Sequence, residues 1–317
     1  MLFQGMHYIY AVYEEKSFSR AAEKLFISQP SLSANIKRIE DRLGLQIFDR
    51  SSKPLKLTQY GEAYIRGIEK IMAAEDEFSA YINDVTQLKT GKLRLGGSNL
   101  FASWILPQLM SRFSALYPKV DLELVEESSY ILEDLLHQGR IDLMIDTGTL
   151  DPEIYGSCPY LKDDLMLAVP ASFGVNQKTA GYQIPLDAIM DGSFRNKKYK
   201  MVPLKDFSSE PFILLDPNND TGVRARSILR ENQMDPRILF MLSQQMTSYN
   251  ITSSGMGISF ISDTLIRAVP FHADICYYKL PGRQTQRKIS FFWKKERYLS
   301  HTMQAFLQLV REDAGAV

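Results

Sequence analysis

Apolar residues near the start of the chain recur at helical intervals, in short pieces that each carry their own cap. Ile9, Val12 and Tyr13 mark the inner face of a first helix over residues 3–16. Ser17 stands at an N-cap position, and Ser19–Leu25 predicts a compact second helix whose Ala21-Ala22 pair lets another helix cross closely. Ser28 opens a third helix with Pro30 in its first turn, where a missing N–H costs nothing. Leu32, Ile36, Ile39 and Leu43 then form one buried stripe, and Gly44 ends the helix. Pro30, Ser31, Ala34, Lys37, Arg38 and Asp41 point the other way. Leu45–Phe48 and Leu55–Leu57 are strand-like runs around a turn that carries Arg50 and Lys53, a small β-wing. Two short helices, a tight turn between them and a polar outer face on the second predict a helix-turn-helix with its second helix in the major groove.

From Gln59 to Lys89 the pattern changes. Tyr64, Ile68, Ile71, Glu75, Phe78, Ile82 and Val85 alternate steps of four and three, a coiled-coil seam with one acidic interruption. The same spacing suits a long helix packed on its own domain. If it pairs subunits, it predicts paired DNA readers and double-stranded operator DNA with two half-sites.

Beyond Thr90-Gly91, strand and helix patterns alternate. The strands are Lys92–Gly97, Val120–Val125 and Ile141–Ile145, and between them lie a helix over 98–117, with Ile105, Leu109, Phe113 and Leu116 inward, and a helix over 130–138. That order predicts a parallel α/β layer. A second α/β lobe follows Leu165–Pro170, with a strand at Phe212–Leu215 and a helix over 221–232. Near Ser290–Trp293 the chain returns to the first lobe, and a helix over 300–311 closes it. The predicted domains are 1–58, 59–90 and 91–317, with lobe I at about 91–165 and 269–317 and lobe II at about 166–268.

Charge sharpens this picture. The whole chain balances 37 basic against 37 acidic residues, which seems at odds with nucleic-acid binding until it is counted by segment. Lys16–Thr58 holds nine basic and four acidic residues, and Gln59–Lys89 holds three basic and six acidic, so the basic excess is confined to the predicted reader. With 45% hydrophobic residues the chain is globular in composition, and no apolar run approaches the ~18 residues of a membrane span. The start, Met-Leu-Phe-Gln-Gly-Met-His-Tyr, has no cationic leader pattern, so the expected compartment is the cytoplasm, with no membrane partner. Cys158 and Cys276 show no metal-ligand spacing and are expected as small hydrophobes, and no cofactor is expected.

Phe18–Leu25, Ile27–Ser33, Ile39-Glu40, Leu43-Gly44, Phe48–Arg50, Leu57-Thr58 and Gly61 together resemble the N-terminal signature of LysR-type transcriptional regulators, without gaps over about sixty residues. The fold expected is α/β: an N-terminal winged helix-turn-helix, a linker helix, and a two-lobed effector domain similar to type 2 periplasmic binding proteins. The resemblance implies a tetramer, whereas the seam alone implies a dimer. Position 34, often long and polar in that family, is Ala here and can at most touch a thymine methyl. The expected DNA contacts are therefore Ser28, Gln29, Pro30, Ser31, Ser33, Asn35, Lys37, Arg38, Arg50 and Lys53.

Ligands of open α/β sheets bind beyond the C-terminal ends of the strands. Ser98-Asn99, Ser128-Ser129 and Thr147 stand at three such ends in lobe I, with Thr221 and Thr247 facing them from lobe II. Each alone suits a helix cap; as a set they predict a pocket for a small polar or anionic metabolite. By resemblance, Ser98, Thr147 and Thr221 stand where the family places effector-contacting hydroxyls. Residues 172–209 exceed what the family needs, and Arg195–Lys200 is expected as a solvated loop. Gly97-Ser98 lacks the second Gly of a nucleophile elbow, and His7, His137, His272 and His301 have no ligand spacing, so no enzyme is expected. A solute-binding protein is the nearer rival, since the C-terminal domain alone would suggest it.

Overall fold

The computed structural model describes residues 3–51, 54–85, 90–270 and 273–316. The chain forms two compact units, residues 1–86 with 137–140, and residues 87–136 with 141–317.

In the first unit, α1 (Met6–Glu15), α2 (Phe18–Lys24) and α3 (Gln29–Leu43) precede a two-stranded antiparallel ribbon, β1 (Phe48–Asp49) and β2 (Lys56–Leu57), and the long α4 (Gln59–Val85). Both expected caps form: Ser17 Oγ accepts from Arg20 N, and Ser28 Oγ accepts from Ser31 N. Gly44 closes α3 at φ 67°. Ile9, Val12, Ala21, Leu32, Ile36 and Ile39 close the core together with Ile65 and Ile68 of α4. The early turns of α4 thus pack on their own unit. Further along, Phe78 is 65% exposed, so the apolar seam emerges into solvent. The side chain of Val85 lies outside the described residues.

Two devices fix the wing. The buried carboxylate of Glu40 accepts from Ile47 N at 2.8 Å and Phe48 N at 3.2 Å, which ties the ribbon to α3. Thr58 Oγ1 donates to Gln46 O and accepts from Gly61 N, so the start of α4 sits against the same segment. A Cβ at Gly61 would lie 2.1 Å from the Ile47 carbonyl oxygen, a separation no side chain tolerates.

The second unit contains a run of strands that serves two lobes. In lobe I, β3 (Gly91–Gly97) lies between β4 (Val120–Glu126) and β5 (Leu143–Asp146), parallel to both; β12 (Gln286–Lys294) and the first part of β6 (Tyr155–Pro170) extend the sheet antiparallel. A π-helical turn, Phe101–Ile105, leads into α5 (Leu106–Leu116), and Leu106 N donates to Phe101 O five residues back. Pro107, which has no N–H to give, follows directly and suits this irregular register. α5 and α12 (His301–Ala316) cover one face through Leu109, Phe113 and Phe306; α6 (Ser129–His137) covers the other through Leu132 and Leu136. Leu116, expected inward, is the last residue of α5 and is 64% exposed.

In lobe II, the remainder of β6 pairs antiparallel with β10 (Ile258–Ser262), which continues in parallel to β8 (Phe212–Leu215) and β9 (Ile238–Leu242). The helices are α7 (Val175–Lys178), α8 (Leu186–Met190), α9 (Asp220–Glu231), α10 (Gln245–Ser253) and α11 (Asp263–Ala268). Leu165, Leu167 and Val169 of β6 enter one core layer and Met166 and Ala168 the other, which is why this strand reads as an unbroken apolar run. β11 (Ile275–Lys279) also pairs with this part of β6 and with β7 (Gln183–Ile184). The return to lobe I therefore comes at Gln286, where β12 begins, and not near residue 269.

The crossing between lobes is held by charge. Asp163 and Asp164 are neighbours on β6 and point to opposite faces. Fully buried Asp163 accepts from Arg287 Nε, Ser262 Oγ and Thr264 N, while Arg287 Nη1 reaches Asp220 at 2.6 Å and Thr221 Oγ1 at 3.1 Å. On the other face Arg195 donates to Asp164 at 2.6 Å and Asp263 at 2.7 Å, and Arg267 also pairs with Asp263. Arg195 is thus a half-buried anchor and not part of a solvated loop; Lys197, Lys198 and Lys200 beyond it are exposed.

Two outcomes are expected. Gly61→Ala should cost the first unit ~2–4 kcal/mol, since backbone must move to admit the Cβ; an unchanged thermal unfolding temperature would contradict the packing. Burial opposes the charge on Asp163, but Arg287 and the hydrogen bonds from Ser262 and Thr264 outweigh it and hold the carboxyl at about 2. A depressed carboxyl contributes stability that is present above its unfolded value and lost as pH falls through the folded one. Asp163→Asn should therefore destabilise the second unit by ~3–5 kcal/mol at neutral pH. The gap to the parent protein should narrow between about pH 4 and pH 2, as read by urea unfolding; a gap independent of pH would sink the assignment.

Candidate functional site

In the first unit, the buried stripe of α3 leaves a continuous polar face outward. Ser28, Gln29, Pro30, Ser31, Lys37 and Arg38 are exposed; Ser33 and Asn35 are half-buried at its margins. Arg38 Nη1 donates to Asn35 Oδ1 at 3.3 Å, so the amide and the guanidinium act as a linked pair. Arg50 stands at the foot of the wing turn. It donates to Glu40 at 3.1 Å and Ser33 at 3.4 Å, and its guanidinium lies 5.1 Å from the centre of the Phe18 ring. Its charge is already engaged by a buried carboxylate, which makes it first a brace between wing and helix. Lys53 lies outside the described residues.

Pattern reading missed Phe26. It sits in the turn between α2 and α3 at φ 55° and is 95% exposed. A left-handed aromatic residue with no core contact is costly in water, and its place beside the N-terminus of α3 adds it to the candidate surface. The signal was available: a Phe in a turn where hydrophobic periodicity has no use for it.

In the second unit, a cavity of about 740 Å³ opens between the lobes. Ser98, Asn99, Ser128, Ser129, Thr147 and Thr221 all line it. Thr247 does not: α10 begins at Gln245, and two residues on, about 200° of helix rotation turns the side chain out to solvent. Gln245 takes that place, donating to Thr221 Oγ1 at 2.6 Å and accepting from Ser262 N at 3.0 Å. With Arg287 also donating to it, the Thr221 hydroxyl has both acceptor positions filled and only its proton to offer a ligand. Thr147 Oγ1 donates across the cleft to Asp220 at 3.1 Å and so links lobe I to lobe II.

Sequence reasoning also passed over the acids of the cleft. Asp146 ends β5 and is buried; its Oδ1 accepts from Thr147 N at 2.6 Å and Gly148 N at 2.8 Å, and its Oδ2 from Ser129 Oγ. Asn99 donates to Glu126 at 2.8 Å at the end of β4. Asp142 is structural: it accepts from Arg94 N at 2.7 Å and pairs with Arg297 at 2.7 Å.

Residues 3–62 match the family model described as bacterial regulatory helix-turn-helix protein, lysR family, and residues 86–315 match the LysR substrate binding domain. The uncharacterized HTH-type transcriptional regulator YcgK of Bacillus subtilis (strain 168) is 28% identical over 309 residues, covering 97% of this chain and 93% of that protein. A probable RuBisCO transcriptional regulator of Trieres chinensis is 28% identical over 269 residues, 83% of this chain and 81% of that protein. Among solved structures, full-length CbnR complexed with its target DNA superposes with a TM-score of 0.67 at 20% identity, covering 99% of this chain and 100% of that one. The BenM effector binding domain with its effector benzoate superposes with a TM-score of 0.55 at 18% identity, over 71% of this chain and 92% of that one. Since the two family models together account for nearly the whole sequence, from the wing-bearing reader to the two-lobed ligand domain, the chain belongs to the LysR family of DNA-binding transcription regulators.

Proposed function

We propose that this regulator reads a two-part operator as a self-paired assembly and changes its output when a small molecule enters the cleft between lobes I and II. The observation that carries the DNA part is the outer face of α3, which presents Gln29, Ser31, Lys37 and Arg38 to solvent while Leu32, Ile36 and Ile39 of the inner face are buried. Lys37 and Arg38 supply phosphate or guanine contacts, and Gln29, Ser31 and Asn35 supply base edges. The exposed seam of α4 around Phe78 supports pairing of two copies, and the implied tetramer would need a second contact. Thr147 and Arg287 converge on Asp220 at the cleft, so a ligand that displaces either bond biases how the lobes close.

The reading assigns the chain no catalytic step. Among the described residues no helix is long and apolar enough to cross a membrane, and the cytoplasm is the compartment the reading requires.

Lys37→Ala should weaken binding to all duplexes alike and lower the salt slope of log affinity by ~1, measured by fluorescence anisotropy at several salt concentrations. Arg38→Ala should in addition relax base preference, and an unchanged slope and preference in both would place DNA on another surface. Phe78→Glu should shift the sedimentation of the protein toward monomer; a preserved oligomer would remove α4 as the pairing element.

A further inference from the structure

The cleft has a charge, and it is negative. Glu126, Glu127, Glu133, Asp146, Asp216 and Asp220 line it, against Arg287 as the one basic residue of the lining among the described residues. Arg287 is not available to a ligand, because its guanidinium is strung between Asp163 and Asp220. Asp220 is neutralised by Arg287 and by Arg224 at 2.9 Å. The other five carboxylates have no basic partner within ion-pair distance among the described residues.

The anion seat is also taken. Backbone amides at the end of a parallel strand are where such a fold would hold a ligand carboxylate. Here the Thr147 and Gly148 amides already point at Asp146 Oδ1, a carboxylate of the protein itself, while the Ser129 hydroxyl takes one of the two acceptor positions of Oδ2 and leaves the other to a ligand donor. Asp146 is 4% exposed and lines the cavity, so its charge is held by neutral donors alone, in a place where an unpaired charge is costly. Trp104, Phe101 and Tyr130 also face the cavity, and an aromatic wall attracts a desolvated cation as carboxylates do.

We propose that the effector is a small organic cation, an ammonium or guanidinium compound, seated with its charge toward Asp146 and the Glu126–Glu127 rim. A cavity of about 740 Å³ admits a metabolite of ordinary size. This rests on the cleft being the effector site, and it narrows the polar or anionic metabolite expected from hydroxyls and helix ends alone. A zwitterion remains compatible through its ammonium group; a simple carboxylate or phosphate does not.

The test is a thermal-shift and calorimetric panel on the full chain, with putrescine, agmatine and choline set against succinate, benzoate and inorganic phosphate, at low and high salt. Cationic compounds should bind, more weakly at high salt, with affinity reduced tenfold or more in Asp146→Asn. Because Asp146 is buried and its amide variant could disturb the fold, Glu127→Gln on the exposed rim is the second variant, with roughly threefold weaker binding expected. Anionic compounds that bind, and bind more tightly in Glu127→Gln, would overturn the charge assignment while leaving the cleft as the effector site. Cations that bind equally well to both variants would overturn the cleft reading as well. A panel with no cationic binder overturns the proposal.

Discussion

The second unit depends on one buried cation. Arg287 is taken out of water at the start of β12, where the chain re-enters lobe I, and that is tolerable only because Asp163 and Asp220 meet it from two directions. Asp163 belongs to the strand that runs through both lobes, and Asp220 opens α9 at the cleft. A single guanidinium therefore fixes the crossing strand, the return strand and the floor of the ligand site. Any rearrangement of the lobes has to carry this bond set along or break it, and partial breakage leaves a buried charge exposed to a low-dielectric surrounding. Such a constraint makes a few discrete arrangements more stable than a continuum, which is what a ligand-operated switch requires.

The first unit uses the same device on a smaller scale. Two-residue strands cannot hold a wing in place by ladder hydrogen bonds alone. Glu40, buried on the inner side of α3, accepts from two wing amides and binds Arg50, while Gly61 lets α4 approach the same backbone. Reader helix, wing and linker helix are thereby set in one geometry before DNA arrives, and on the outer face of α3 Lys37 and Arg38 carry exposed charge, whereas that of Arg50 is engaged by Glu40.

Much of this was legible in the sequence because it follows from periodicity and capping. Ser17, Ser28, the Leu32-to-Leu43 stripe and Gly44 announce the helix-turn-helix, and each is a local signal. The strand and helix alternation of the larger unit was equally readable. What escaped was non-local. β11 reads like any strand, and only its pairing with β6 assigns it to lobe II. Arg195 looks like one more residue of a basic run, yet Asp164 and Asp263, distant in sequence, make it an anchor. Thr247 misses the cleft because its phase on α10, which no nearby residue announces, turns its side chain to solvent. The negative charge of the cleft was invisible because its carboxylates are scattered along the chain and converge only when β4, β5 and α9 are assembled.

The central claim, that the chain is a paired reader of operator DNA, is tested most directly by selecting genomic fragments with the purified protein at two salt concentrations and sequencing what is bound. The account predicts one enriched motif with two half-sites about one or two helical turns apart, with enrichment falling steeply at the higher salt. No enrichment at either salt, or a motif with a single half-site, would contradict it.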